Sequence, residues 1–199
     1  ICEDAWWQPV TETLAETGAE ILIVPNGSPY HRDKLDLRMG HMVARVHESG
    51  LPLAYVNMVG GQDDQVYDGA SFVLNPGGHK VVQLPAFEEA VTHVDFVQTA
   101  DGWRAEPGLM APQPDAWEQD YQAMMLGLKD YLRKSGFSKV LLGMSGGIDS
   151  ALVATIACDP RKLRAIAADS PACAAEISDH AERVGLPRRV LDPVHDASF

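Results

Sequence analysis

Residues 141–157 read LLGMSGGIDSALVATIA, an apolar run that gives way to a cluster of small residues and then to a helix-like stretch. The cluster is Gly143, Met144, Ser145, Gly146, Gly147, Ile148, Asp149 and Ser150. A glycine-rich turn between a buried strand and a helix lets backbone amides approach a phosphate, and the helix N-terminus adds unpaired N–H groups and a favourable dipole. Ser145 and Ser150 add hydroxyl donors. Asp149 would repel a bare phosphate, so it makes chemical sense as a ligand for phosphate-bound Mg²⁺. No lysine follows the second glycine, so the pattern is not a Walker loop. Two other readings compete. One is a plain tight turn, for which one or two glycines would suffice. The other is a nucleophile elbow, because Gly143, Ser145 and Gly147 satisfy G-x-S-x-G. The elbow would need Asp169, His180 or His195 as partners, has too little chain after Ser150 for such a fold, and leaves Asp149 idle. The phosphate loop ranks first, the elbow second and the plain turn third.

Outward from this loop, the pattern predicts a strand at 139–144, a helix to about Ala157, a strand at 163–168, a helix at about 172–184 ended by Gly185, and a strand at 188–192. That order is the start of a doubly wound parallel sheet. Upstream, Asp115 opens a helix with Glu118 three residues on, a capping-box-like pair. Trp117, Tyr121, Met124, Met125, Leu128 and Leu132 share one face, read as a core stripe, and Gly136 ends the helix. Residues 99–114, punctuated by Gly102, Pro107, Gly108, Pro112 and Pro114, read as a linker. The first half alternates strands and helices: strands at 20–25, 53–59, 70–75, 79–85 and 91–98, and a helix at 33–49 stopped by Gly50. Pro76-Gly77-Gly78 between two of the strands is a hairpin signal.

The composition is that of a globular chain: 199 residues, 46% hydrophobic and 22% charged. With 16 basic and 28 acidic residues the formal charge is −12, which disfavours nucleic acid and anionic membranes as partners. No apolar run approaches a membrane-spanning length. Cys2, Cys158 and Cys173 are too far apart for a zinc pattern and read as reduced thiols of a cytoplasmic protein, the last two structural. His31, His41 and His47 stand singly. Asp63, Asp64 and Asp68 form an acidic stretch without the EF-hand pattern, read as a solvated loop. The chain begins Ile1-Cys2-Glu3-Asp4 without Met, and we expect a piece of a longer polypeptide.

Ser145-Gly146-Gly147-Ile148-Asp149-Ser150 resembles the SGG-x-DS pyrophosphate loop of N-type ATP pyrophosphatases, and the longer string at 141–157 is similar to NAD⁺ synthetases. The opening ICED-x-W around Cys2 resembles the nucleophile segment of nitrilase-superfamily amidases, as found in the glutaminase domain of glutamine-dependent NAD⁺ synthetases. The likeness continues through VPNGSPYHRDK (24–34) and NMVGGQDDQVYDGASFVLNPGG (57–78). The fold class it implies is α/β. Residues 1–98 would be the C-terminal part of an αββα nitrilase-like domain, 99–114 a linker, and 115–199 the start of a doubly wound, adenine nucleotide alpha hydrolase-like domain.

The resemblance also implies the chemistry. Cys2 attacks the side-chain amide of glutamine, giving a glutamyl thioester and ammonia. Ser28 and Lys34 fall on positions that hold glutamine; from the residues alone, they read as a turn hydroxyl and a helix-end charge. ATP, bound by residues 143–150, adenylylates deamido-NAD⁺, ammonia displaces AMP, and Asp149 holds Mg²⁺. A cytoplasmic homo-oligomer is implied as well. A Glu general base and a Lys precede the nucleophile in the family and are not among these residues; neither Glu3 nor Glu48 matches them. The alternatives are a serine hydrolase built on Ser145 and an inactive scaffold.

Overall fold

Short apolar runs bounded by turn residues pair into a four-stranded mixed sheet. In the computed structural model, which describes residues 1–137 and 139–158, the chain opens with a 3₁₀ turn (Cys2–Trp6). There follow α1 (Gln8–Glu16), β1 (Leu22–Asn26), α2 (Lys34–Ser49), β2 (Leu53–Asn57), β3 (Val59–Gln62), β4 (Gln65–Asp68), β5 (Phe72–Asn75) and β6 (His79–Gln83). β7 (Phe96–Thr99), β8 (Gly102–Ala105), α3 (Ala116–Ser135) and α4 (Ile148–Cys158) complete the described elements. The sheet order is β1-β2-β5-β6. β1 and β2 are parallel, joined by α2, with Leu22 opposite Leu53 and Asn26 opposite Asn57. β5 and β6 are antiparallel about the expected hairpin, where Gly77 and Gly78 take φ of 88° and 75°, values that favour glycine.

The contacts divide the chain into two compact units: Ile1–Gly60 with Gln65–Ala123, and Gly61–Asp64 with the chain from Met124 onward. In the first, Leu22, Val24, Leu53, Tyr55, Phe72 and Leu74 share a core with Ala5 of the 3₁₀ turn and Met42 and Val46 of α2. Tyr55 and Phe72 stack with centroids 4.9 Å apart. Each such side chain contributes about 1.5–3 kcal/mol through burial. The alternate positions are also apolar, yet Ile23 and Val56 remain 70% and 50% exposed. Pro25, which lacks an N–H, is accommodated in β1 because, among the described residues, that strand ends the sheet.

In the second unit, Asp130 is buried and accepts the Gly61 N–H at 2.8 Å, while Arg133 pairs with its other oxygen at 3.1 Å. A Cβ on Gly61 would stand 3.0 Å from the Gly127 Cα. A glycine inside a helix costs about 1 kcal/mol against alanine; here the absence of side chains permits the close approach.

Several expectations are corrected. Residues 99–114 do not run as an open tether. β8 pairs with β7, and residues 108–111 run along β6, with Gly108 N–H on Val81 C=O at 3.0 Å and Ala111 N–H on Gln83 C=O at 2.9 Å. Their glycines and prolines shape bends against the sheet rather than freedom. The strand expected at 91–98 forms only at Phe96–Thr99, because its partner is the short β8, and Val91 is 98% exposed. The strand expected at 53–59 ends at Asn57, and a new one starts at Val59. Asp115 does cap α3, its Oδ1 accepting from the Trp117 and Glu118 amides, and Gly136 ends the helix at φ 73°. The stripe along α3 is only partly core: Met125 and Leu132 are buried, Trp117 and Met124 exposed. No strand forms at 139–144 among the described residues. The strands expected at 163–168 and 188–192 and the helix at 172–184 lie outside the described residues.

Asn75 fastens β8 to the sheet, donating to the Ala105 carbonyl at 2.8 Å and accepting the Ala105 amide at 2.7 Å. Asn75→Ala orphans both buried groups, so urea unfolding should register a loss of about 2 kcal/mol. Limited proteolysis should then cut between residues 96 and 115.

Candidate active site

The nucleophile candidate sits where the chain is strained. Cys2 takes φ 53° at the head of the 3₁₀ turn, a left-handed conformation that a non-glycine residue adopts only when its surroundings enforce it. Trp6, at the other end of the turn, stacks on His41 at 4.6 Å, and its carbonyl accepts from Arg45 at 2.8 Å. Lys34 Nζ lies 5.0 Å from the centre of the same indole. Arg45 is itself tied to Glu48 at 2.7 Å, so Glu48 is engaged in a structural pair. The turn precedes α1, with Pro9 in its first turn. Cys2 is partly accessible.

Ser28 lies in the loop after β1 and is 7% exposed. Every polar atom it carries is held by a side chain. Asn57 Oδ1 accepts its N–H at 2.9 Å, and Asn57 Nδ2 donates to its carbonyl at 3.2 Å. Arg38 of α2 donates to its Oγ at 3.1 Å and to its carbonyl at 2.7 Å, and reaches the Pro29 carbonyl at 3.1 Å. Arg38 is completed by an ion pair with Asp68 at 2.8 Å, both side chains almost without solvent contact. Asp68 therefore does not belong to a solvated loop. Asp63 and Asp64 are exposed, but Asp68 closes β4 and points inward to the guanidinium. Burial raises its pKa above the usual carboxylate value, with Arg38 pulling the other way. Sequence reading missed Arg38 and Asp68; the faint signal was an arginine inside the apolar face of α2.

Tyr55 adds a second group that the sequence did not single out. Its hydroxyl is buried with no hydrogen bond of good geometry. Burial pushes its pKa up, while Arg38 and Ser28 act against that rise. Lys34 is half-buried at the start of α2 rather than a free helix-end charge. Between Ser28 and Lys34, Tyr30 and Arg32 both bond Asp120 of α3, Tyr30 at 2.7 Å, and Arg32 also lies 4.6 Å above the Trp117 ring. Arg32 and then Tyr30 hold the Asp120 carboxyl below its ordinary pKa.

The glycine-rich loop belongs to the second unit. Ser145 and Ser150 hydroxyls are 3.1 Å apart, the Gly147 amide donates to Ser145 Oγ at 3.3 Å, and Ser150 Oγ donates to the Gly147 carbonyl at 3.0 Å. Gly146 takes φ 80°, with no described residue near a would-be Cβ. Gly143, Met144, Ile148 and Asp149 are exposed, and Asp149 lies in the first turn of α4. One exposed carboxylate beside two hydroxyls is a hard-oxygen set that fits Mg²⁺ bound mostly through phosphates and water. Among the described residues no group of three or more His, Cys, Asp or Glu could hold a metal by itself. No described helix is long and apolar enough to cross a membrane. Cys158 ends α4, partly buried. Asp169, His180 and His195, which an elbow at Ser145 would require, and Cys173 lie outside the described residues.

Known proteins carry the same two segments. The carbon–nitrogen hydrolase family model matches residues 1–105, and the NAD synthase model matches residues 120–187. The glutamine-dependent NAD(+) synthetase of Rhodobacter capsulatus is 67% identical over 159 residues, and that of Xylella fastidiosa (strain Temecula1 / ATCC 700964) is 41% identical over 160. Each match covers 80% of this chain and 29% of the relative, so the chain spans under a third of their length. A glutamine-dependent NAD⁺ synthetase structure from Acinetobacter baumannii, in complex with ADP, superposes with a TM-score of 0.77 at 32% identity. That match covers 93% of this chain and 36% of the other. The α/β architecture is thus a nitrilase-like segment followed by the start of an NAD synthase segment.

Arg45→Met should leave the Trp6 carbonyl without its charged donor and cost about 2 kcal/mol in urea unfolding. Freed from its anchor, Cys2 should react at least about threefold faster with iodoacetamide, as judged against RT ln 3 of lost restraint. Unchanged labelling would mean that the turn is held from elsewhere.

Proposed function

Because the chain belongs to the carbon–nitrogen hydrolase family, we propose that it carries the nucleophile of a glutaminase and the opening of the ATP site of a glutamine-dependent NAD⁺ synthetase. The observation that carries this reading is the strained Cys2 turn, in a chain whose later part has a glycine-rich loop leading into α4. Cys2 would attack the side-chain amide of glutamine, with Ser28 and Lys34 holding the substrate, and release ammonia from the resulting thioester intermediate. The strained backbone aims the thiol, and the contacts of Trp6 keep it aimed.

In the second segment, amides and hydroxyls of Ser145, Gly146, Gly147 and Ser150 would cradle the pyrophosphate of ATP, with Gly143, Met144 and Ile148 lining the loop. Asp149 would hold Mg²⁺, which offsets charge on the pyrophosphate leaving group. Adenylylated deamido-NAD⁺ would then accept the ammonia and release AMP. The division into 1–98, a connecting 99–114 and 115–199 follows the same reading, as do a cytoplasmic location and a homo-oligomer. The hydroxyls of Ser145 and Ser150 face each other, which suits a phosphate cradle better than a serine nucleophile awaiting a histidine.

The test is a chimera in which residues 1–158 replace the matching segment of the Rhodobacter capsulatus relative, so that flanking chain is supplied. It should form NAD⁺ from deamido-NAD⁺, ATP and glutamine. Cys2→Ala should lower the ratio of glutamine-driven to ammonia-driven rate by about 10²-fold or more, whereas Asp149→Asn should lower both rates together. An unchanged ratio for Cys2→Ala would overturn the glutaminase assignment. Labelling of Ser145 by a fluorophosphonate, without protection by ATP, would overturn the phosphate loop. The 199-residue chain by itself should release no glutamate from glutamine; release abolished by Cys2→Ala would show that the upstream Glu and Lys are dispensable.

A further inference from the structure

Tyr30 and Arg32 lie in the loop between β1 and α2, yet both are fastened to a residue of α3, 90 and 88 positions further along the chain. The Tyr30 hydroxyl donates to Asp120 Oδ1 at 2.7 Å, and Arg32 Nε donates to Oδ2 at 2.8 Å. A second guanidinium nitrogen of Arg32 bonds the same Oδ2, and the group lies over the Trp117 ring. That placement gives the indole, 76% exposed, a use outside the core as a shelf for a cation. All four residues belong to the first unit.

The start of the loop has other ties. Ser28 is bonded by Asn57 and Arg38, and the Tyr30 amide donates to the Val66 carbonyl at 2.7 Å. Beyond it, His31, Arg32 and Asp33 are exposed, and the hydrogen bonds of His31 and Asp33 stay within the loop and the first turn of α2. Asp33 takes φ 63°, a left-handed conformation that persists only when the chain around it is held. Lys34 comes next, beside the Trp6 ring. Among the described residues, Arg32 is thus what ties this exposed stretch to the rest of the unit. Trp117 and Asp120 lie beyond residues 1–105, where the likeness to carbon–nitrogen hydrolases ends.

We propose that Asp120 is a positioning residue: it latches the loop at Tyr30 and Arg32 to α3, so that Lys34 is set for the amide donor. Glutamine use by the hydrolase-like segment then depends on a helix that this segment does not itself contain. The inference rests on the reading of Lys34 as a glutamine ligand. Lysine would not serve in place of Arg32, since only a planar guanidinium can lie on the indole while its edge meets the carboxylate.

In the same chimera, Asp120→Asn should raise the KM for glutamine about fivefold, the upper end for an ion pair that solvent reaches, and change the ammonia-driven rate less than about twofold. Arg32→Gln should act in the same direction, and the double variant should be no worse than about twofold beyond Asp120→Asn, because a single latch is lost. Trypsin should cut after Arg32 or Lys34 at least about threefold faster in Asp120→Asn, a readout of the loop that does not involve glutamine. Multiplying effects of the two substitutions would mean that Arg32 acts on the substrate directly, and would overturn the proposal. Equal losses in the glutamine-driven and ammonia-driven rates, the mark of a purely structural role, would do the same, as would faster cutting with an unchanged KM. If Cys2→Ala leaves the ratio of the two rates unchanged, the glutaminase reading fails and the proposal falls with it. If Cys2→Ala removes glutamine use while Asp120→Asn alters nothing, only the latch fails. Should Asp120→Asn not fold, Arg32→Gln and Tyr30→Phe open the latch from the loop side, and without a rise in KM from them the proposal is lost.

Discussion

The Arg38–Asp68 pair is the constraint on which the first unit depends. It joins α2 to the end of β4 and, through Asn57, to the end of β2, so that the loop after β1 is gripped from three elements at once. Without Arg38, the half-buried Pro29 carbonyl would lose its donor and the Ser28 carbonyl would keep only the Asn57 amide. Burial lifts the Asp68 pKa even with the guanidinium in contact. The core of Met42, Val46, Leu53 and Tyr55 lies on the same side of the sheet as this network. Apolar packing and the polar grip therefore reinforce each other.

The nucleophile turn is restrained differently. No charge pair holds Cys2 itself; the restraint acts on Trp6, through a stack, a cation above its ring and a bond to its carbonyl. All three restraints come from α2: His41, Lys34 and Arg45. Arg38 of the same helix holds Ser28. One helix thus holds both Trp6 of the Cys2 turn and Ser28 of the loop after β1.

How much of this was legible beforehand follows from which interactions are local. The β5–β6 hairpin, the stops at Gly50 and Gly136 and the cap at Asp115 depend on one to four neighbouring residues, and they could be read directly. The glycine-rich loop is equally local. Asp68 was misjudged because its charge is answered by an arginine thirty positions away, a pairing that no spacing rule reveals. Residues 99–114 were misjudged because proline and glycine signal bends but do not say whether the bends lie against a sheet. The edge of β6 decided that, through bonds from Gly108 to Ala111. Trp117 read as core by its place on the apolar face of α3, yet it lies exposed beneath Arg32.

Pro25 in β1 bears on how this chain behaves in a crowded solution. Among the described residues the strand ends its sheet, and its outward face shows Ile23 beside Val56 of β2. An open edge with an apolar face is a template on which another strand can grow, the first step towards amyloid-like stacking. A proline there removes one amide from the growing ladder, and the −12 net charge makes copies repel one another. The residue that looks like an interruption in β1 withholds one amide from any strand that would pair along that edge.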